Sequence, residues 1–198
     1  MIIGLTGSIA SGKSTVSSML KEKGYPIVDA DEIARIVVEP GTAVMEAIRK
    51  EFGQEVLLED GSLNRVELGA RIFGNEDERK KLNSIIHPAI RAEMLQQKET
   101  HLAHGENTVV MDIPLLFESK LQSFVDKIIV VSVSPIVQKE RLMSRNELTE
   151  KEAEDRINSQ LSMDFKASIA DVVIDNNGSI KETEKQLESI LTEWNITR

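Results

Sequence analysis

Eight consecutive residues, Gly7-Ser8-Ile9-Ala10-Ser11-Gly12-Lys13-Ser14, have the spacing G-x-x-x-x-G-K-[ST]. Glycines at the ends of the first six positions let a chain turn so that several backbone N–H groups face one anion. The positive end of a following helix adds to that field. Lysine at the next position supplies a mobile point charge for the β- and γ-phosphates of a nucleotide, and the serine after it a hydroxyl for Mg²⁺. Thr15 beside it is a candidate contact for the α-phosphate. The competing reading is a glycine-rich turn that only caps a helix. The loop's place between an apolar run at 2–6 and a helical pattern at 13–23 favours the phosphate site.

Three further sets of residues have the type and position for phosphoryl transfer. Val28-Asp29-Ala30-Asp31-Glu32 ends an apolar run with two acids. A carboxylate at the carboxyl end of a parallel strand lies where such sheets bind ligands, and can take a proton from an attacking hydroxyl. Either Asp29 or Asp31 can instead cap the next helix. Asp112, ending Val109-Val110-Met111-Asp112, stands where an acid would complete a Mg²⁺ shell; an ordinary turn acid is the alternative. Arg141, Arg145 and Arg156 lie in an otherwise acidic stretch, and Arg141 and Arg145 share a helix face. They are suited to neutralising transition-state charge, or to pairing on the surface with Glu140, Glu147 or Asp155. His87 precedes Pro88, which on its own reads as a helix start. His101 and His104 have no acid-rich ligand arrangement around them and read as solvated, and Trp194 reads as a packing residue.

These residues must be carried by elements, and short apolar runs alternating with helical patterns indicate βαβ units and a parallel sheet. The spacing predicts strands over 2–6, 26–29, 108–112, 127–133 and 171–175. Helices are predicted over 13–23, from near Glu32, and over 135–145, 150–160 and 180–194. Ser134 before Pro135 reads as an N-cap with proline at the first helical position. Thr149 with Glu152, and Ser179 with Glu182, are spaced as capping boxes. From 39 to 106 no convincing strand appears, only charged amphipathic helices broken by Pro40-Gly41, Asp60-Gly61, Gly74 and His87-Pro88. That is too long for a simple crossover, and reads as a helical substrate-binding insertion in an α/β core.

Composition narrows the class. The 198 residues contain no cysteine, which excludes disulfides, thiolate metal sites and a cysteine nucleophile. Net charge is −9 and aromatic residues make up 4%, which argues against a broad nucleic-acid footprint or a base-stacking platform. No signal peptide or membrane span is expected, the mature chain is expected to begin at Met1, and the expected location is the cytoplasm. A guanine-nucleotide switch would carry an N/T-K-x-D segment, which is missing; Asp126-Lys127 is the nearest fragment. A small-molecule kinase fits best.

At this point the sequence resembles the dephospho-CoA kinase family along its whole length. The resemblance is carried by the phosphate loop with Gly4-Leu5-Thr6 before it and Thr15 after, and by Asp29-Ala30-Asp31-Glu32-Ile33-Ala34-Arg35 with Val38-Glu39-Pro40-Gly41. Ile86-His87-Pro88, Asp112-Ile113-Pro114-Leu115-Leu116-Phe117-Glu118 and Asp175-Asn176-Asn177-Gly178 complete it. It implies transfer of the γ-phosphoryl group of ATP to the ribose 3′-hydroxyl of dephospho-CoA, giving CoA, with ATP and Mg²⁺ required and no obligatory protein partner. It also implies a P-loop NTPase fold of the α/β class, with a five-stranded parallel sheet, a helical insertion and a lid. The core is expected at 1–38, 107–137 and 167–198, the CoA domain at 39–106 and the lid at 138–166. Asp31 is then the expected base, with Lys13 and Arg141 completing catalysis. The expected ATP contacts are Gly7, Ala10, Ser11, Gly12, Lys13, Ser14, Thr15, Val16, Arg145 and Asn177. Asp31, Arg35, His87, Leu115 and Phe117 are expected at the acceptor, and Ser14 and Asp112 at the metal. The alternatives are a shikimate- or gluconate-type kinase, whose substrate domains are shorter, and a non-catalytic ATP-binding switch.

Overall fold

Val and Ile crowd the central apolar runs because a strand covered by helices on both faces has no polar side to show; the last run, at 172–175, is the more exposed one. The structure, a computed structural model, describes residues 1–196; the last two residues of the expected core segment 167–198 lie outside the described residues. The runs form β1 (Ile2–Gly7), β2 (Ile27–Asp29), β3 (Val109–Asp112), β4 (Lys127–Ser132) and β5 (Val172–Asp175). They make one sheet in the order β2-β3-β1-β4-β5. β1 pairs in parallel with β3 and β4, with Leu5 beside Asp112 and Gly7 beside Val131, and β4 pairs in parallel with β5. Chain order reverses about β1, so the crevice at its carboxyl end is the switch point at which such sheets receive ligands.

The unit formed by 1–28 and 98–198 adds α1 (Lys13–Glu22), α6 (Pro135–Asn146), α7 (Glu150–Asn158), α8 (Met163–Ser168) and α9 (Ile180–Glu193). Its core joins Ile3 and Leu5 of β1, Val16 and Leu20 of α1, Ile129 and Val131 of β4, and Leu187 and Ile190 of α9. Trp194 packs against that cluster. The caps read from sequence are present: Ser134 accepts from the Val137 N–H, and Thr149 with Glu152 and Ser179 with Glu182 form reciprocal capping boxes. The short helix α8 has no counterpart among the expected elements.

The second unit, 29–97, contains α2 (Ala30–Ile36), α3 (Ala43–Phe52) and α4 (Arg65–Ile72). It also holds most of α5 (Glu76–Ala103). Ile33, Met45, Ile48, Phe52, Val56, Leu68, Leu82 and Met94 are among its buried side chains, and the Arg71 guanidinium lies 5.4 Å from the Phe52 ring centre. Only an isolated bridge between Leu57 and Leu63 interrupts the helical pattern. The reading of Pro88 as a helix start does not hold. α5 begins at Glu76 and runs through Pro88, because a proline interior to a long helix forfeits one hydrogen bond and kinks the axis without ending it.

Candidate active site

The phosphate loop leaves β1 at Gly7 and enters α1 at Lys13. Gly12 has φ +88°, a conformation that costs an L side chain, and a Cβ there would stand 1.9 Å from Asn176 Nδ2. Ala10 also has positive φ, at 60°. Within the loop the Ser11 N–H donates to Ser8 O at 3.1 Å. Ser11 is buried and its Oγ has no hydrogen-bond partner. An orphaned buried hydroxyl fits a loop built around a polar ligand, and the close approach of Asn176 explains why position 12 takes no side chain.

Four side chains distant in sequence hold the backbone of this loop. Lys166 Nζ donates to Gly7 O at 3.2 Å, Gln138 Nε2 to Ile9 O at 2.8 Å and Asn176 Nδ2 to Ser11 O at 2.9 Å. Gln160 Oε1 accepts from the Ile9 N–H at 2.9 Å. Asn176 is itself fixed, since its Oδ1 accepts from Thr183 Oγ1 at 2.8 Å. Sequence reasoning missed all four as site residues. Asn176 alone lay in a quoted motif, and the others are polar residues of amphipathic segments with no distinguishing spacing.

Lys13 Nζ is ion-paired with Asp112 Oδ1, and the Asp112 side chain is only 3% exposed. The end of β3 and the start of α1 therefore bring the loop lysine and the expected metal acid together. Ser14 is exposed, Thr15 half-buried, and Val16 is part of the core. Among the described residues no group of three or more His, Asp or Glu side chains could cage a metal. Mg²⁺ in phosphotransferases needs only one or two protein oxygens beside the substrate phosphates, a number that Ser14 and Asp112 supply.

The guanidinium of Arg141, on α6, donates from Nη2 to Asn176 O at 3.0 Å. Its Nη1 lies 3.8 Å from the point a Cβ on Gly12 would occupy, so Arg141 stands at the loop. Arg145, one turn on, is exposed and donates to Asn146 Oδ1 at 2.9 Å. Among the described residues neither arginine, nor Arg156, is ion-paired with Glu140, Glu147 or Asp155. Asn177 is engaged locally, its Nδ2 donating to Asp175 Oδ1 at 2.6 Å and its Oδ1 accepting from the Ser134 N–H at 2.9 Å. After β3, Leu115 is 42% exposed whereas Phe117 is buried.

In the second unit Asp29 caps α2, its Oδ1 accepting from the N–H groups of Asp31 at 2.8 Å and Glu32 at 3.1 Å. Asp31 is exposed, and its carboxylate has no partner among the described residues. Arg35 is exposed in the last turn of α2, and His87 is exposed midway along α5.

A loop of this kind, opening at the switch point of a parallel sheet with an acid at the end of the adjacent strand, defines a P-loop nucleotide-binding core. Comparison with known proteins narrows the class. The family model described as dephospho-CoA kinase matches residues 1–182. A dephospho-CoA kinase of Oceanobacillus iheyensis is 53% identical over 197 residues, 100% of this chain and 99% of that protein. A crystal structure of a Thermus thermophilus protein, 31% identical, superposes with a TM-score of 0.83 over 100% of this chain and 98% of its own. The dephospho-CoA kinase of Campylobacter jejuni, 28% identical, gives 0.75 over 98% and 96%. The chain belongs to the dephospho-CoA kinase family and is a kinase.

Proposed function

We propose that the chain transfers the γ-phosphoryl group of ATP to the ribose 3′-hydroxyl of dephospho-CoA. The observation that carries this reading is the phosphate loop, with Lys13 and Asp112 paired beside it, in a chain that the family model matches over residues 1–182. The helical interval 39–106 is the proposed acceptor domain and 138–166 the proposed lid.

The loop N–H groups and Lys13 hold the donor phosphates, so the charge of the leaving diphosphate is met by dipoles already oriented. A phosphate competes with Asp112 for the Lys13 ammonium, and Asp112 and Ser14 are the residues that would hold Mg²⁺. Bound there, Mg²⁺ would supply Lewis-acid neutralisation of the negative charge that develops on the phosphates. Asp31 accepts the proton of the 3′-hydroxyl as the new O–P bond forms and the bond from the γ-phosphorus to the β–γ bridging oxygen breaks, releasing ADP. Arg141, beside Gly12, stabilises the charge spread over the transferring group. Gly7, Ala10, Ser11, Thr15, Val16, Arg145 and Asn177 are the proposed remaining ATP-site residues, and Arg35, His87, Leu115 and Phe117 the proposed acceptor residues.

The test is acceptor-dependent release of ADP from Mg-ATP with dephospho-CoA, shikimate, gluconate and nucleosides, with the new phosphate located by mass spectrometry and NMR. Stimulation by dephospho-CoA and phosphate on its 3′-oxygen are expected. No stimulation above background hydrolysis overturns the reading.

A further inference from the structure

Lys166 is the one lysine among the described residues with a fully buried side chain: it is 0% exposed on the six-residue helix α8. Its ammonium lies 2.8 Å from Glu118 Oε1 and 3.2 Å from the carbonyl oxygen of Gly7. Glu118 Oε1 also accepts from the Leu161 N–H at 3.1 Å, while its Oε2 is buried without a hydrogen-bond partner. The Glu118 side chain is 20% exposed, so the penalty of burial falls mainly on Lys166; a lysine taken wholly out of water loses hydration that offsets most of the attraction to its partner. The arrangement calls for a purpose other than holding the fold together.

The carbonyl that Lys166 grips supplies one. A trans peptide is planar, so its C=O and N–H point in opposite directions. Fixing the Gly7 carbonyl on one side therefore aims the Ser8 N–H to the other. The same logic applies at Ile9, held by Gln138, and at Ser11, held by Asn176, which set the N–H groups of Ala10 and Gly12. The three gripped carbonyls alternate along the loop, and among the described residues the N–H groups of Ser8, Ala10 and Gly12 donate to no protein acceptor. Only at Gly7 is the holding group charged, and a charge-assisted donor holds its acceptor more firmly than an amide does.

We propose that Lys166, held by Glu118, is a positioning residue for phosphoryl transfer: it orients the first peptide of the phosphate loop so that the loop's N–H groups present themselves to the nucleotide phosphates. This rests on the loop binding ATP and is independent of which acceptor is phosphorylated.

The experiment compares Lys166→Met, Lys166→Arg and the double variant Lys166→Met/Glu118→Gln with the parent full-length chain. It measures thermal melting, titration calorimetry with a non-hydrolysable Mg-ATP analogue, and steady-state kinetics. Lys166→Met is expected to weaken analogue binding roughly tenfold or more, the loss typical of a hydrogen bond to a charged group. KM for ATP rises in step, and KM for dephospho-CoA changes by less than about twofold. Lys166→Arg is expected to recover part of the affinity. The double variant, which leaves no unpaired buried charge, is expected to melt near the parent while still binding the analogue weakly. Parental affinity in the double variant overturns the proposal, as does affinity that falls only in proportion to melting temperature in every variant. Analogue binding needs no acceptor, so its result is read separately from whether dephospho-CoA is the substrate.

Discussion

Asp29 and Asp31 carry the same chemical group two positions apart, and the backbone separates what each is able to do. Asp29 spends its Oδ1 on the N–H groups of Asp31 and Glu32; the Asp31 carboxylate is left exposed and is the proposed base. Asp29→Ala should cost about 1 kcal/mol as a lost helix cap, a melting shift of about 2–4 °C in a chain this long. Asp31→Asn should leave melting unchanged and cut kcat by about 10²–10⁴, the usual reach of a general base, at undiminished ATP-analogue affinity. An equal fall in analogue affinity would place Asp31 at the metal or in the fold instead. From residue type and spacing the cap and the base were interchangeable, since aspartate suits both, and only the family resemblance named Asp31 as the base; what marks Asp29 as the cap is the reach of one oxygen to two amides. Lys166 was not legible at all, because a lysine in a short polar segment looks like any solvated one.

At the scale of elements, the strands lie within a residue of their sequence-predicted bounds at each end, because β-branched runs bounded by turn residues have few other ways to be buried. The reciprocal caps at Thr149 and Ser179 were equally plain, being set by residues three apart. The loop between β1 and α1 was recognisable as a phosphate site, but its supports were not: they come from α6, from α8, from the turn after α7 and from the segment after β5, and only folding brings them to it. Gly7 shows how tightly that loop is seated. A Cβ there would stand 2.5 Å from Ser11 Oγ and 2.8 Å from the carbonyl oxygen of Val131; the hydroxyl can rotate away, but the β4 backbone cannot. Gly7→Ala should therefore destabilise by about 1–3 kcal/mol through overpacking, and weaken ATP-analogue binding in calorimetry. An unchanged melt would mean that β1 and β4 part to admit a methyl group.

Over the whole molecule, part of the excess of acidic residues is tied into local caps and ion pairs that make stability depend on pH. Several carboxyls are held below their ordinary range. The Ser179 N–H and hydroxyl act on Glu182, the Thr149 hydroxyl and N–H on Glu152, and Lys81 on Glu78. At Asp171 burial pushes upward, but Lys127 and the Ile128 N–H outweigh it. A carboxyl lowered on folding contributes stability that is complete above its unfolded value, 4.5 for Glu and 3.8 for Asp, and that is lost as pH falls through the folded value. Lys23, with Glu188, and Lys139, with Glu150 and Glu154, are raised above 10.5. Their contribution is complete below that value and lost as pH rises beyond it. Melting temperature should thus be flat from about pH 5 to 10 and fall on either side; in Glu182→Gln the acid limb should be shallower, and an unaltered limb would remove the capping boxes from the account. The residues that grip the phosphate loop have a further consequence, in time. Gln138, Gln160, Lys166 and Asn176 lie 129, 151, 159 and 165 residues from their partners, so a nascent chain carries its nucleotide motif long before the residues that grip it are made. It cannot set that motif into its binding shape until the segment reaching Asn176, 165 residues beyond Ser11, has left the ribosome.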